Sequence, residues 1–286
     1  MFGARPFDRR RWLIVAAGSL VNLMGSSMTN PAIRTSWQRH EVKYFIDEAL
    51  ALRIRRYCVQ NLRLDRHCQP FANRQYPIHS IYLDSPDFQL ARNVEAGEPD
   101  RFKLRVRTYR HALQADQGLP AFFEVKRKVM GIIYKQRAIV DRTDALRLMQ
   151  NGTNSHCPGT VTQTEANDKL AKFQWLRYQL RATPKVAVFY TREAYEQDAG
   201  KGVRLSFDRQ LSFQPVDANQ VSDPGAWWPV PIRGVIFEVK FTDTYPVWLK
   251  NLLASSDLVR RGVCKYTLCL QAAKGMLLDM RETRIA

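Results

Sequence analysis

Apolar and polar positions alternate along most of this chain with the two-residue period of β-strands, and several stretches of helical period lie between them. The first alternating stretch is Arg39–Ile46 (RHEVKYFI), with Arg39, Glu41 and Lys43 on one face and Val42 and Tyr44 on the other. His79–Leu83 follows as a short strand, stopped by the turn residues Asp84-Ser85-Pro86-Asp87. In Arg101–Arg110, Lys103, Arg105, Arg107 and Tyr109 face one way and Phe102, Leu104 and Val106 the other. Ala121–Met130 places Glu124, Lys126 and Lys128 together, opposite Phe123 and Val125. Ile132–Asp141 carries Lys135 and Arg137. Lys185–Tyr195, Val203–Leu211 and Gly234–Thr242 complete about eight strands; the last sets Glu238 and Lys240 against Val235, Phe237, Val239 and Phe241. Helical spacing predicts helices from Asp47 or Glu48 to about Leu64, and over Thr143–Gln150, Asn167–Leu180, Pro246–Leu258 and Lys265–Leu278. Pro215–Pro231, which holds Trp227 and Trp228, reads as a long irregular loop, and Thr153–Thr164 as a polar one.

Most strands thus carry charge on one face and aliphatic side chains on the other. The pattern predicts an α+β fold: a closed, eight-stranded antiparallel β-tunnel, its charged faces inward and its aliphatic faces outward under the helices. Closure removes exposed sheet edges, and an eight-stranded barrel has room for one ligand. So many cations in one lumen need an extended polyanion or water to be stable. A solvated edge, kept soluble by Lys and Arg, is the plainer account of any single one of these strands.

Composition narrows the partner. The chain has 286 residues, is 45% hydrophobic, and has a formal net charge of +17 from 44 Lys and Arg against 27 Asp and Glu. That balance selects polyanions: nucleic acid, anionic membrane or phosphate-rich small molecules. The cations lie within patterned elements and not in a low-complexity tail. Base-stacking aromatics are not interleaved with them, which argues against nucleic acid. The five cysteines, Cys58, Cys68, Cys157, Cys264 and Cys269, include no CxxC pair, and a metal cluster of Cys58, His67 and Cys68 is a weak signal beside buried thiols in a reducing compartment.

Residues 1–36 differ from the rest, and we set them apart as an N-terminal extension to a domain over 37–286. Arg9, Arg10 and Arg11 precede the apolar run Trp12–Leu23, as in a leader or short anchor, but the run is short for a membrane span. The preferred reading is a start at Met28, because the patterned domain begins soon after it.

Taken in order, the charged strands resemble a known family, the VTC domain. This is the polyphosphate polymerase module of the vacuolar transporter chaperone complex and of bacterial relatives, within the triphosphate tunnel metalloenzymes. Its R-x-E-x-K-Y opening is matched by Arg39, Glu41, Lys43 and Tyr44, and its I-Y-x-D segment by Ile81, Tyr82 and Asp84. Arg105 and Arg107 match its R-x-R pair; Phe122, Glu124 and Lys126 its F-x-E-x-K strand; Lys135 and Arg137 the basic strand after it. Tyr190 and Arg192 match Y-x-R, Arg204, Leu205, Ser206 and Asp208 the R-[LI]-S-x-D element, Glu238, Val239 and Lys240 the E-V-K strand, and Lys265 and Tyr266 the terminal K-[YF]. Each motif alone is weak, and the ordered set carries the resemblance.

The resemblance implies transfer of the γ-phosphate of ATP to a growing polyphosphate chain. Lys43, Arg105, Arg107, Lys126, Arg192 and Lys265 would be catalytic, and Lys103, Lys128, Lys135, Arg137, Arg204 and Lys240 would bind phosphate. Glu238 first, then Glu124 and Glu41, would hold a divalent metal, Mn or Mg. The implied partners are ATP and inorganic polyphosphate, with a membrane-protein partner besides and no nucleic acid. The implied location is cytoplasmic, extending to membrane association. Two alternatives share the fold: a tunnel triphosphatase that passes the phosphoryl group to water, and a non-catalytic polyphosphate-binding module.

Overall fold

The computed structural model describes residues 39–109, 119–150, 164–197, 202–216, 226–242, 246–256, 258 and 262–282. The extension 1–36, most of the loop 153–164 and Cys157 lie outside them. In chain order the elements are β1 Arg39–Ile46, α1 Glu48–Asn61, β2 Arg63–Leu64, β3 Tyr76–Asp84, α2 Gln89–Glu95, β4 Asp100–Tyr109, β5 Ala121–Val129 and β6 Ile132–Val140. Then come α3 Arg142–Gln150, α4 Thr164–Gln179, β7 Thr183–Glu196, β8 Arg204–Pro215, β9 Trp228–Pro229, β10 Val235–Thr242, α5 Val247–Ala254 and α6 Lys265–Glu282.

One antiparallel sheet runs in the order β1-β10-β8-β7-β3-β4-β5-β6, with β2 added on β7 and β9 on β8. The expected closure does not occur. The sheet curls into a half-barrel, and no backbone ladder joins β6 to β1. What crosses the gap is a side chain: Lys126 of β5 reaches Glu41 of β1, Nζ to Oε2 2.8 Å. Ion desolvation explains the open form. A sealed lumen would strip water from every inward cation, at several kcal/mol each. With the edge open, the side chains of Lys135 and Lys240 keep 38% and 39% of their exposure.

The outer face packs as expected. Asp47 caps α1, its Oδ1 accepting from the Leu50 N–H, and Ala51, Ile54 and Cys58 form the buried stripe. That stripe lies on Val42, Tyr44, Leu205, Phe207, Phe237 and Val239, together with Leu249 of α5. Farther along, Phe173 of α4 meets Phe123 of β5 edge-on at 5.1 Å. Arg177, 1% exposed, donates to the carbonyls of Leu148, Met149 and Ala182 and so ties α3 to α4.

α6 departs from the expectation that helices cover only the outer face. Its Tyr266, Cys269, Leu270 and Ala273 pack with Ile78, Tyr82, Val186, Val188 and Tyr190. Tyr82 and Tyr190 belong to the face that lines the pocket described below. The start of α6 is fixed by Asp84, whose Oδ2 accepts from the Tyr266 hydroxyl at 2.6 Å, while the Tyr266 ring stacks on Tyr82 at 4.8 Å. Asp84 also accepts from the N–H groups of Leu90 and Ala91, securing the first turn of α2. One buried carboxylate thereby joins β3, α2 and α6, and it sets Lys265 where the charged side chains converge.

Candidate phosphate-binding site

Strand register decides which charges meet. On β1 and β10, Lys43 stands opposite Glu238 and Glu41 opposite Lys240. On β7 and β8, Arg192 stands opposite Asp208. Across β4, β5 and β6, Arg105, Glu124 and Arg137 make an alternating row. The adjacent row is Lys103, Lys126 and Lys135, three cations side by side. Opposite charges across a ladder stabilise it and like charges oppose it, so the lysine row is a cost that the sheet carries.

Part of this set converges on one pocket, lined by Lys43, Lys103, Arg105, Arg107, Lys126, Arg192, Lys240 and Lys265, with Glu238, Tyr82, Tyr190 and Cys264. Its empty volume is about 460 Å³, counting the open mouth. Eight basic side chains thus share the lining with one carboxylate.

Each carboxylate at the site is held among cations. Asp208 takes both Nε and Nη2 of Arg192, at 2.6 and 2.7 Å, and Lys265 Nζ at 2.5 Å. Glu238 meets Lys240 at 2.5 Å, Lys43 at 3.5 Å and Arg192 at 3.8 Å. Glu41 meets Lys43 at 2.9 Å and Lys126 at 2.8 Å. Glu124, fully buried, contacts Arg105 at 2.6 Å, Lys135 at 2.7 Å and Arg137 at 2.6 Å. Burial disfavours the charge on all four, but the surrounding cations outweigh it and hold each below the usual carboxylate range. On Lys126 burial wins: with Lys43 and Lys240 nearby, its pKa falls to about 7 despite Glu41 and Glu238.

Two lining cations lack such a partner among the described residues. Arg107, 6% exposed, donates to Ser80 Oγ at 3.1 Å and the Tyr190 hydroxyl at 3.4 Å, and also bonds the Tyr109 hydroxyl. Lys103 reaches the Cys264 sulfur at 2.9 Å.

The structure brings together the six residues expected to be catalytic, and Lys103 and Lys240 with them. Lys135 and Arg137 stand behind Glu124 and outside the lining. Lys128 is not among the lining residues, and Arg204 turns to Asp65 at 2.7 Å and to the Tyr76 hydroxyl. Of the three carboxylates expected to hold metal, Glu41 and Glu238 share Lys43, whereas Glu124 sits apart among its own three cations. Among the described residues no three His, Cys, Asp or Glu side chains gather as a metal cluster. Cys58 and Cys68 lie in separate cores. A hard divalent ion held by one or two carboxylates and completed by substrate phosphates asks for no more than the Glu41–Glu238 pair, so these donors fit Mg or Mn when phosphate is present.

Sequence reasoning assigned no part to Asp208 or Cys264. Asp208 stood in the matched R-[LI]-S-x-D element, where Arg204 drew attention instead. Cys264 had one signal, its place just before Lys265.

A family model described as VTC domain matches residues 38–274. No curated protein sequence matches the chain. Similar solved structures include the PH1819 protein from Pyrococcus horikoshii OT3, at 13% identity over 82% of this chain and 99% of that one, with a TM-score of 0.44. Another is a putative adenylate cyclase from Bacillus halodurans, at 13% identity over 78% and 94%, with a TM-score of 0.43. A third is the putative adenylyl cyclase HpAC1 from Hippeastrum, described as having a dominant triphosphatase activity, at 12% identity over 82% and 96%, with a TM-score of 0.47.

Proposed function

The chain belongs to the VTC domain family, and from that premise we propose that it is an ATP-dependent polyphosphate polymerase. The observation that carries this reading is the pocket's composition: eight basic side chains line it against one carboxylate. Buried cations in that excess are stabilised by a ligand with many negative charges, and a triphosphate or a polyphosphate chain is such a ligand.

In this reading Arg105, Arg107 and Arg192 grip phosphate oxygens with their planar forks, while Lys43, Lys103, Lys126, Lys240 and Lys265 supply point charge. Arg105 and Arg192 are pre-aimed by Glu124 and Asp208, so little rotamer entropy is lost on binding. Lys135, Arg137, Lys128 and Arg204 extend the basic surface for the rest of the chain. The terminal phosphate oxygen of polyphosphate is already anionic at neutral pH. It attacks the γ-phosphorus of ATP, a new P–O bond forms, the β–γ bridging bond breaks, and ADP leaves. Positioning and charge neutralisation are most of what such a transfer needs from the protein. Glu41 and Glu238 are the residues that would hold the divalent ion, which when bound supplies further neutralisation of phosphate charge.

The carboxylates do not separate polymerase from triphosphatase. A water nucleophile gains from a general base; Glu41, Glu124, Asp208 and Glu238 are all held ionised among cations and are weak bases, but Lys126, brought down to about 7 in the lining, is a group able to take that proton. Among the described residues no helix is long and apolar enough to cross a membrane, and a membrane-protein partner and a cytoplasmic location at the membrane remain part of the proposal.

The test is to incubate the full chain with ATP and Mg or Mn and to measure long polyphosphate, ADP and free phosphate separately. Polyphosphate with stoichiometric ADP is the expected result. Free phosphate alone would establish the triphosphatase, and tight polyphosphate binding without turnover a binding module.

A further inference from the structure

Four cysteines lie among the described residues, and all are free thiols. Three are shielded by position. Cys58, Cys68 and Cys269 are fully buried, and burial pushes their thiols up, the first two to about 12. Cys264 differs because the segment before α6 carries it into the phosphate pocket, where it is part of the lining. Its sulfur lies 2.9 Å from Lys103 Nζ, and among the described residues that ammonium has no carboxylate partner. The pair bridges β4 and the start of α6 and sits inside the cation cluster. Burial opposes ionisation of the thiol, but Lys103, by charge and by hydrogen bond, and Lys43 behind it bring it down to about 6. At neutral pH the sulfur is then a thiolate, the nucleophilic form.

We propose that Cys264 and Lys103 form a peroxide-responsive site, in which oxidation of the Cys264 sulfur to a sulfenic acid denies Lys103 to phosphate. This rests on the anion-binding role proposed for the pocket. The thiolate attacks one oxygen of hydrogen peroxide. An S–O bond forms, the O–O bond breaks, and hydroxide leaves to be protonated by solvent. The sulfur loses two electrons and the peroxide gains them. Hydrogen peroxide, two oxygens across, is small enough to reach Cys264, a lining residue that keeps 7% of its exposure. The sulfenic acid is neutral where the thiolate was charged, so the block is one of space: the added oxygen takes the room beside the Lys103 ammonium that a phosphate oxygen would use, and a thiol reductant reverses it. A bound triphosphate would compete for Lys103 and cover the sulfur. Substrate therefore protects the site, and oxidation excludes substrate.

The experiment treats the full chain with low hydrogen peroxide in the presence of dimedone, with and without inorganic triphosphate, and maps the adduct by peptide mass spectrometry. In parallel, inorganic triphosphate is titrated calorimetrically into untreated, oxidised and re-reduced protein. The expected adduct is on Cys264 in preference to Cys58, Cys68, Cys157 and Cys269, and triphosphate suppresses it. Oxidised protein should bind triphosphate about tenfold more weakly or worse, as expected for one lost charge-assisted contact, and dithiothreitol should restore binding. Cys264→Ser, which keeps a small polar group beside Lys103, should bind triphosphate equally well before and after peroxide. Lys103→Met should lose the preference for Cys264. An adduct on other cysteines with Cys264 intact would overturn the proposal. So would an oxidised Cys264 with unchanged triphosphate affinity, or a peroxide effect of equal size in Cys264→Ser. A chain that makes no polyphosphate yet shows the triphosphate-protected adduct keeps this inference and loses the polymerase. A polymerase whose Cys264 stays unmodified loses this inference alone.

Discussion

Arg107 separates the charges that hold the fold from those held ready for a ligand. Its guanidinium is almost wholly buried, and its described partners are hydroxyls, Ser80 Oγ, Tyr190 Oη and Tyr109 Oη, and no carboxylate. Desolvating an ion costs several kcal/mol, while a hydrogen bond to a charged group returns about 1.5–3 kcal/mol. The Tyr190 contact, at 3.4 Å, belongs at the weak end. The two contributions nearly cancel, so Arg107→Met should leave the stability of the ligand-free protein within about 1 kcal/mol of wild type. Arg192 is equally buried but is clamped by both oxygens of Asp208. Removing it leaves a buried carboxylate with Lys265 alone, and Arg192→Met should cost about 3 kcal/mol, the low end for a broken buried pair. For a domain of this size that is a fall of about 2–4 °C in melting temperature for each kcal/mol.

Triphosphate binding should show no such contrast. Each arginine would contribute charge-assisted contacts to phosphate, so either substitution should weaken binding of inorganic triphosphate by about 10- to 150-fold. The assays are chemical denaturation without ligand and calorimetric titration of triphosphate for wild type and both variants. The reasoning fails if Arg107→Met loses as much stability as Arg192→Met while binding triphosphate normally. Arg107 would then be a structural ion, and the surplus of cations would have another cause.

Glu124→Gln should destabilise the ligand-free chain by about 3–5 kcal/mol, because three cations lose their shared carboxylate. The native carboxyl is held low, so its contribution is present above the unfolded value near pH 4 and fades as pH falls further; denaturation midpoints of the two proteins should differ widely at pH 6 and less at pH 3. Glu238→Gln should abolish metal-dependent polyphosphate synthesis and, with one repelling charge removed from the lining, bind metal-free triphosphate at least as tightly as wild type; synthesis at the wild-type rate would remove Glu238 from the metal site. Gly234→Ala should cost at least about 2 kcal/mol in urea unfolding, because φ there is +107° and an added Cβ would stand 2.3 Å from the Ile46 carbonyl oxygen.

Alternation alone exposed the charged faces of β1, β4, β5 and β10, because side-chain period is a local property of a strand. The outer core was legible for the same reason: Ala51, Ile54 and Cys58 recur at helical spacing and pack where an apolar stripe must. Whether β6 meets β1 was not legible. Edge pairing depends on curvature summed over the whole sheet, and no residue of β6 announces that its outer ladder stays empty. The placement of α6 was hidden likewise. Its apolar residues demanded a partner, but either face of the sheet offers aliphatic groups, and the choice turns on Asp84 meeting Tyr266 over 182 positions of chain. The distribution of carboxylates was hidden by register. Glu41, Glu124 and Glu238 look alike in sequence, yet one row sets Glu124 between Arg105 and Arg137, while Glu41 and Glu238 both fall to Lys43.

That distribution gives the carboxylates two distinct roles. Glu124 and Asp208 are saturated: each takes at least two cations within 2.7 Å and fixes an arginine for use. They make buried cations tolerable without cancelling them. Glu41 and Glu238 are linked through the ammonium of Lys43 and not through a guanidinium fork, and a point charge on an unbranched stem can yield its place. In the lysine row of β4, β5 and β6, Lys126 turns to Glu41 and Lys135 to Glu124, which leaves Lys103 and, beside the row, Arg107 without a carboxylate among the described residues. There the sheet sets like charges in register at its own cost. A fold selected for stability alone would alternate that row as it alternates the Arg105–Glu124–Arg137 row beside it. Within the unalternated row Lys103 is the member left without a carboxylate, and the proposed phosphate chain, laid across Lys103 and Arg107, would supply the negative charge without a change of register.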